Sequence, residues 1–187
     1  MGITILAVIV LVFILGTALI YNRLVRLRNM VKEGWSGIEV QLKRRASLIP
    51  NLVEAVKGYM GHERNLLSEI ADLRSRSLRT QKVGEKGEIE MALSKSLGSL
   101  MAVAEGYPDL KASQNFLELQ KELTDTENQI QMARRYYNGT VRNLNIAVES
   151  FPSNIVATLF TFVQAEFFAI DNDNDRQTPQ VGMGSQK

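Results

Sequence analysis

The chain has 187 residues, a formal net charge of +2 and no cysteine. Lack of cysteine excludes disulfides, thiolate metal sites, lipoprotein modification and a cysteine nucleophile. The charge is too small to define a class of partner, and its distribution along the chain is more informative.

The run Ile3–Tyr21 (ITILAVIVLVFILGTALIY) carries no charge and no proline. As a helix it spans roughly 29 Å, about the hydrocarbon thickness of a bilayer. It predicts a transmembrane anchor over residues 1–22. No Lys or Arg precedes the run, and Leu19, Ile20 and Tyr21 continue it past the small residues Gly16-Thr17-Ala18. The expectation is therefore an uncleaved span rather than a signal peptide. Four cations, Arg23, Arg26, Arg28 and Lys32, come directly after it with no anion among them. By the positive-inside rule they place the N-terminus outside and the main domain in the cytoplasm, with a periplasmic domain as the alternative. The same four residues are the candidate membrane-interface site, attracted to anionic lipid headgroups.

Leu24, Leu27, Val31, Trp35, Ile38 and Leu42 recur at three- and four-residue steps, the stripe of a helix continuing from the span. Pro50 predicts a break or kink, since it removes a backbone donor and restricts Ile49. The second helix is then expected from Leu52 to Arg79, with Leu52, Val56, Tyr59, Leu66, Ile70 and Leu73 inward and Glu63 on one step. Gln81–Glu88 (QKVGEKGE) reads as a loop. A third helix is expected from Ile89 to Ala104, ended by Glu105-Gly106-Tyr107-Pro108-Asp109. Asp109 or Ser113 is the candidate cap of the next.

In the fourth helix Phe116, Leu123, Ile130, Tyr137, Leu144 and Phe151 fall seven residues apart. That repeat indicates a long helix in a supercoiled bundle or coiled coil, ended or kinked by Pro152. Asn154–Phe168 reads as a short apolar helix, and residues 170–187 as a disordered polar tail. No alternating strand pattern occurs. The fold expected is all-α: an N-terminal transmembrane helix followed, over residues 23–169, by an antiparallel bundle of long helices.

Tyr21-Asn22-Arg23-Leu24-Val25 and Gly34-Trp35-Ser36-Gly37-Ile38-Glu39-Val40-Gln41-Leu42 are similar to the opening signature of the LemA family. Lys43-Arg44-Arg45 with Leu48-Ile49-Pro50-Asn51-Leu52-Val53 resembles its next block. The likeness continues through Tyr107-Pro108-Asp109-Leu110-Lys111-Ala112, Arg134-Arg135-Tyr136-Tyr137-Asn138 and Phe151-Pro152-Ser153-Asn154, and spans Asn22 to Phe168. It implies a bacterial protein with one N-terminal span and an antiparallel helical domain, and it brings no catalytic mechanism. Gly34 departs from the alanine of the family pattern, which puts local helix stability in question.

No constellation of residues carries a reaction. His62 beside Glu63 is a poor metal site, because adjacent residues do not share a helix face and no second histidine or cysteine exists. Asp171, Asp173 and Asp175 start like a calcium loop, but Arg176 and Gly182 replace its glycine and its bidentate glutamate. Asn138-Gly139-Thr140 matches the glycosylation pattern inside a predicted helix and is set aside. Lys43-Arg44-Arg45 lacks an aromatic platform and reads as a solvated helix end, not a nucleic-acid site. Asn51, Tyr107, Asn138 and Asn154 are expected to cap helices or bond across the bundle. The reading is a non-enzymatic, membrane-anchored scaffold or adaptor of the bacterial plasma (inner) membrane, without cofactor or metal. Its partners are the bilayer and other envelope proteins or further copies of itself. The alternatives are an enzyme subunit or regulator of membrane proteolysis or envelope turnover, with Glu63 and Glu127 converging, and a lipid-binding bundle using Phe160–Phe168.

Overall fold

The computed structural model describes residues 1–60 and 63–168. Among these described residues six helices succeed one another: α1 (Gly2–Lys57), α2 (Arg64–Arg79), α3 (Val83–Ala104), α4 (Pro108–Lys111), α5 (Gln114–Glu149) and α6 (Ser153–Leu159). Among the described residues there is no strand. His62 and the tail with Asp171, Asp173 and Asp175 lie outside the described residues.

α1 corrects the sequence reading most. It continues through Pro50 to Lys57, so Leu52–Lys57 belong to the first helix and α2 starts twelve positions later than expected. Proline at position 50 deprives the carbonyl of Ala46 of its helical donor. The Arg74 Nε of α2 supplies that donor, 2.6 Å from Ala46 O. The stripe that begins at Leu24 therefore extends through Leu42, Arg45, Ile49, Leu52 and Val56, all buried. Tyr59 lies beyond α1 and is exposed. α3 begins at Val83, which shortens the expected loop to a brief turn. Its apolar residues Ile89, Leu93, Leu97 and Leu100 point inward as expected.

α5 runs antiparallel to α1, with Arg45 facing Glu127, Gly34 facing Tyr137 and Leu24 packed with Ala147. Phe116, Leu123, Ile130, Tyr137 and Leu144 are buried as the heptads predict. Phe151, sixth in that series, falls past the end of α5 and is 80% exposed. Ser113 is the N-cap of α5, though its hydroxyl makes no capping bond. A Cβ at Gly34 would meet Tyr137 Cα at 3.2 Å, so glycine there permits the close approach of the two long helices. The departure from alanine thus has a packing role.

The expected helix Asn154–Phe168 is two structures. α6 covers only Ser153–Leu159, and a non-helical strap runs from Phe162 to Phe168. The turn between them is a Schellman closure: the Phe162 N–H bonds Ala157 O at 2.8 Å and the Thr161 N–H reaches Thr158 O at 3.3 Å. Thr161 takes the left-handed conformation usual for glycine, with φ of 54°.

The described residues form three cores along the rod. The distal core joins the end of α1 with α2, α3, α4 and the start of α5, an antiparallel four-helix arrangement. The middle core places Phe168 of the strap among Val31, Ile38, Leu42, Ile130, Tyr137, Val141 and Leu144. The proximal core, nearest the span, gathers Leu24, Ala147, Val156, Ala157 and Phe162.

Candidate functional site

Before Leu24, α1 has no buried residue. Its apolar stretch has a mean hydropathy of 3.0 and is long enough to cross a membrane, which fits a single-pass membrane protein. Arg23, Arg26, Arg28 and Lys32 are all exposed just beyond it. At 100° per residue Arg23 and Arg26 share one side of α1, while Arg28 and Lys32 share another. They ring the helix on either side of the Leu24–Val31 stripe rather than forming one patch. The Arg28 guanidinium also lies 5.0 Å over the Phe162 ring, tying the ring of cations to the strap. Tyr21 packs edge-on against Phe160 and Phe162, with centroids 4.8 Å and 5.7 Å away.

Farther up the rod, between the distal and middle cores, the run Lys43-Arg44-Arg45 divides. Lys43 and Arg44 are exposed, but Arg45 is 1% exposed, which corrects its reading as a solvated helix end. Its position three after Leu42 and four before Ile49 keeps it on the buried stripe. Arg45 forks between Glu90 of α3, which it contacts closely through Nη2, and Glu127 of α5, whose Oε2 lies 2.5 Å from Nη1. Ser94 Oγ is 2.6 Å from the same Nη1. The Ser77 hydroxyl of α2 donates to the other oxygen of Glu90, and Gln131 Nε2 to Glu127 Oε1 at 3.4 Å. One guanidinium therefore joins all four helices of the distal bundle. Such a node sets register: truncating one member strands a buried charge. A cleft of about 270 Å³ reaches it between Leu97, Met101, Gln120 and Leu123.

Glu63 and Glu127 do not converge. Glu127 is engaged by Arg45, whereas Glu63 accepts a 2.6 Å hydrogen bond from the Tyr107 hydroxyl at the distal tip. That bond to a carboxylate, then burial, raises the Tyr107 phenol above its ordinary value. Among the described residues no group of three His, Asp or Glu side chains is placed to hold a metal.

The polar residues expected to fix register behave differently from one another. Asn51 is exposed within α1 and caps no helix. Asn154 lies in the first turn of α6 with its side-chain oxygen buried and unpartnered. Asn138 bonds across the bundle, donating Nδ2 to Phe168 O at 3.1 Å and accepting the Phe168 N–H at 3.0 Å. Asn145, which the sequence reading missed, repeats this clasp on Ala165 at 3.0 and 2.8 Å. Seven helical residues advance roughly 10.5 Å and three extended residues roughly 10 Å, so the two clasps hold an extended strap in step with α5. Between them the Tyr137 hydroxyl donates to Glu166 O at 2.8 Å, and burial pushes that phenol up to about 12. The recurrence of asparagine at 138 and 145, one heptad apart, was the available signal.

The sequence profile of the LemA family matches residues 34–182. Protein LemA of Metamycoplasma hominis is 30% identical over 79% of this chain and 71% of its own. Magnetosome protein MamQ of Magnetospirillum gryphiswaldense is 25% identical over 94% of this chain and 75% of its own. Magnetosome protein MamQ 2 of Paramagnetospirillum magneticum is 26% identical, covering 92% and 74%. None of these names is that of an enzyme.

Proposed function

The chain belongs to the LemA family, and from that premise we propose that it is a non-enzymatic scaffold anchored in the bacterial plasma membrane. Residues Ile3–Tyr21 cross the bilayer, Arg23, Arg26, Arg28 and Lys32 meet anionic headgroups, and the bundle stands in the cytoplasm. The observation that carries this reading is the continuity of α1. A single 56-residue helix serves as both anchor and spine of the bundle. The Arg45 node and the asparagine clasps support it, because both spend polar side chains on rigidity instead of leaving them convergent in a reactive pocket. Cross-linking in native membranes followed by mass spectrometry tests the scaffold role. Reproducible neighbouring proteins or self-cross-links are expected; a strictly monomeric protein without recurrent neighbours overturns it. Topology is read separately with a Ser185→Cys label, since the chain has no native cysteine. A membrane-impermeant maleimide added to intact cells leaves that thiol unmodified if the bundle is cytoplasmic; modification places it outside.

A further inference from the structure

α6 and the start of the strap end the bundle on its membrane side. The α1–α5 register pairs Gly34 with Tyr137 and Leu24 with Ala147, so extending it brings the end of α5 level with Asn22 and Arg23. Beyond α5 the chain is uncharged from Ser150 to Ala165. Part of this segment closes the proximal core through Val156, Ala157 and Phe162. The rest faces outward: Phe151, Ile155, Leu159, Phe160 and Val163 are all exposed, three of them by 70% or more. So many large apolar side chains on one short segment are costly in water. Phe160 packs edge-on against Tyr21, the last residue of the span. From there an apolar groove of about 370 Å³ descends along α1 past Thr17 and Ala18 to Phe13 and Ile14, inside the stretch that crosses the bilayer.

We propose that residues 151–163 form a second membrane contact, a foot that sinks into the same leaflet from which α1 emerges, with a lipid acyl chain in the groove between Phe160 and the span. The bilayer is the occupant because the exposed side chains stand at the level of its surface and their groove is continuous with the span itself. The exposed Arg23 and Arg26 lie at the height where headgroup phosphates would meet them. A rod held by one helix can swing; a helix and a foot together fix its angle. The inference rests on the anchor reading of Ile3–Tyr21, and its test separates the two.

Single nitroxides are attached to the full-length protein through Leu159→Cys and Val163→Cys, with Val10→Cys marking the span and Gly98→Cys the distal bundle. Both foot positions are exposed, and a Cβ at Gly98 meets nothing within 4 Å, so the labels disturb no core. In phosphatidylethanolamine–phosphatidylglycerol vesicles, collision with dissolved oxygen is compared with collision with a water-soluble nickel chelate. The foot labels are expected to favour oxygen and to report a depth of about 5–10 Å, between the two controls. Foot labels as open to nickel as Gly98→Cys, with Val10→Cys still in lipid, overturn the foot and leave the anchor standing. A water-exposed Val10→Cys overturns the anchor and the foot with it. Dipolar broadening between foot labels on separate molecules assigns the surface to a second copy and overturns the lipid contact.

Discussion

Arg74 and Pro50 act as a pair. The proline removes the donor for Ala46 O, and the arginine restores it from another helix. Arg74→Met should then leave a buried carbonyl unsatisfied and cost about 1–3 kcal/mol. In a Pro50→Ala background the backbone N–H returns to Ala46 O, and Arg74→Met should cost far less. Denaturant titration of the four proteins gives the coupling directly. Equal costs in both backgrounds would mean that the proline is tolerated for another reason. Arg45 supports a second prediction. Arg45→Met leaves Glu90, only 4% exposed, without its cation and should destabilise by about 3–5 kcal/mol. Adding Glu90→Met removes the stranded charge, so the double variant should recover much of that loss. Arg45→Lys should fall between wild type and Arg45→Met, because a single ammonium nitrogen cannot stand at both the Nη1 and Nη2 positions from which the guanidinium meets Glu127 and Glu90. The melting order of these variants checks the scheme; a double variant no more stable than Arg45→Met would contradict it.

The strap is the element whose attachment is most local and most easily tested. Each asparagine clasp makes two hydrogen bonds, worth about 1 kcal/mol apiece. Asn145→Ala should therefore speed amide exchange at Ala165 by about 30-fold while leaving the middle of α5 protected. Asn138→Ala should act likewise at Phe168, and unchanged exchange at both would show that apolar packing alone holds the strap. This element also marks where sequence reasoning ended. α5 was legible because five buried heptad residues repeat along one helix, a pattern internal to the segment. The strap was not: a short aromatic run reads the same whether it is a buried helix or an extended chain. Its conformation depends on Asn138 and Asn145, polar residues on a different element. The extent of α1 was hidden similarly. Its stripe passes through Arg45 and Pro50, a charge and a helix breaker, and both are compensated by residues at least 24 positions away: Arg74, Glu90 and Glu127. Of the candidate site, the span and its four adjoining cations could be read from the chain because they are contiguous. The node could not, because its members come from four helices.

For the whole molecule, the continuity of α1 sets a height. From Asn22, where the span ends, to Lys57 the helix rises roughly 50 Å, and α5 braces most of that length from the opposite direction. A helix tilted by about 20° from the normal would lose only a few ångströms of that reach. The protein reconstituted in a supported bilayer should therefore form a layer that reaches roughly 50 Å above the hydrocarbon core, headgroups included, measurable by neutron reflectometry. A layer about half as thick would mean that the bundle lies down on the membrane and that the rod is hinged. The dependence on helix continuity has its own control. Asn29 is exposed and lies between the packing of Leu24 on Ala147 and the close approach of Gly34 to Tyr137. Asn29→Pro removes one backbone hydrogen bond and crowds the carbonyl of Val25, kinking the spine at its base without entering the distal core. It should thin or broaden the layer while leaving the thermal unfolding of the distal core close to wild type. If the height survives that substitution, the bracing by α5 and α6, rather than the unbroken backbone of α1, keeps the bundle upright.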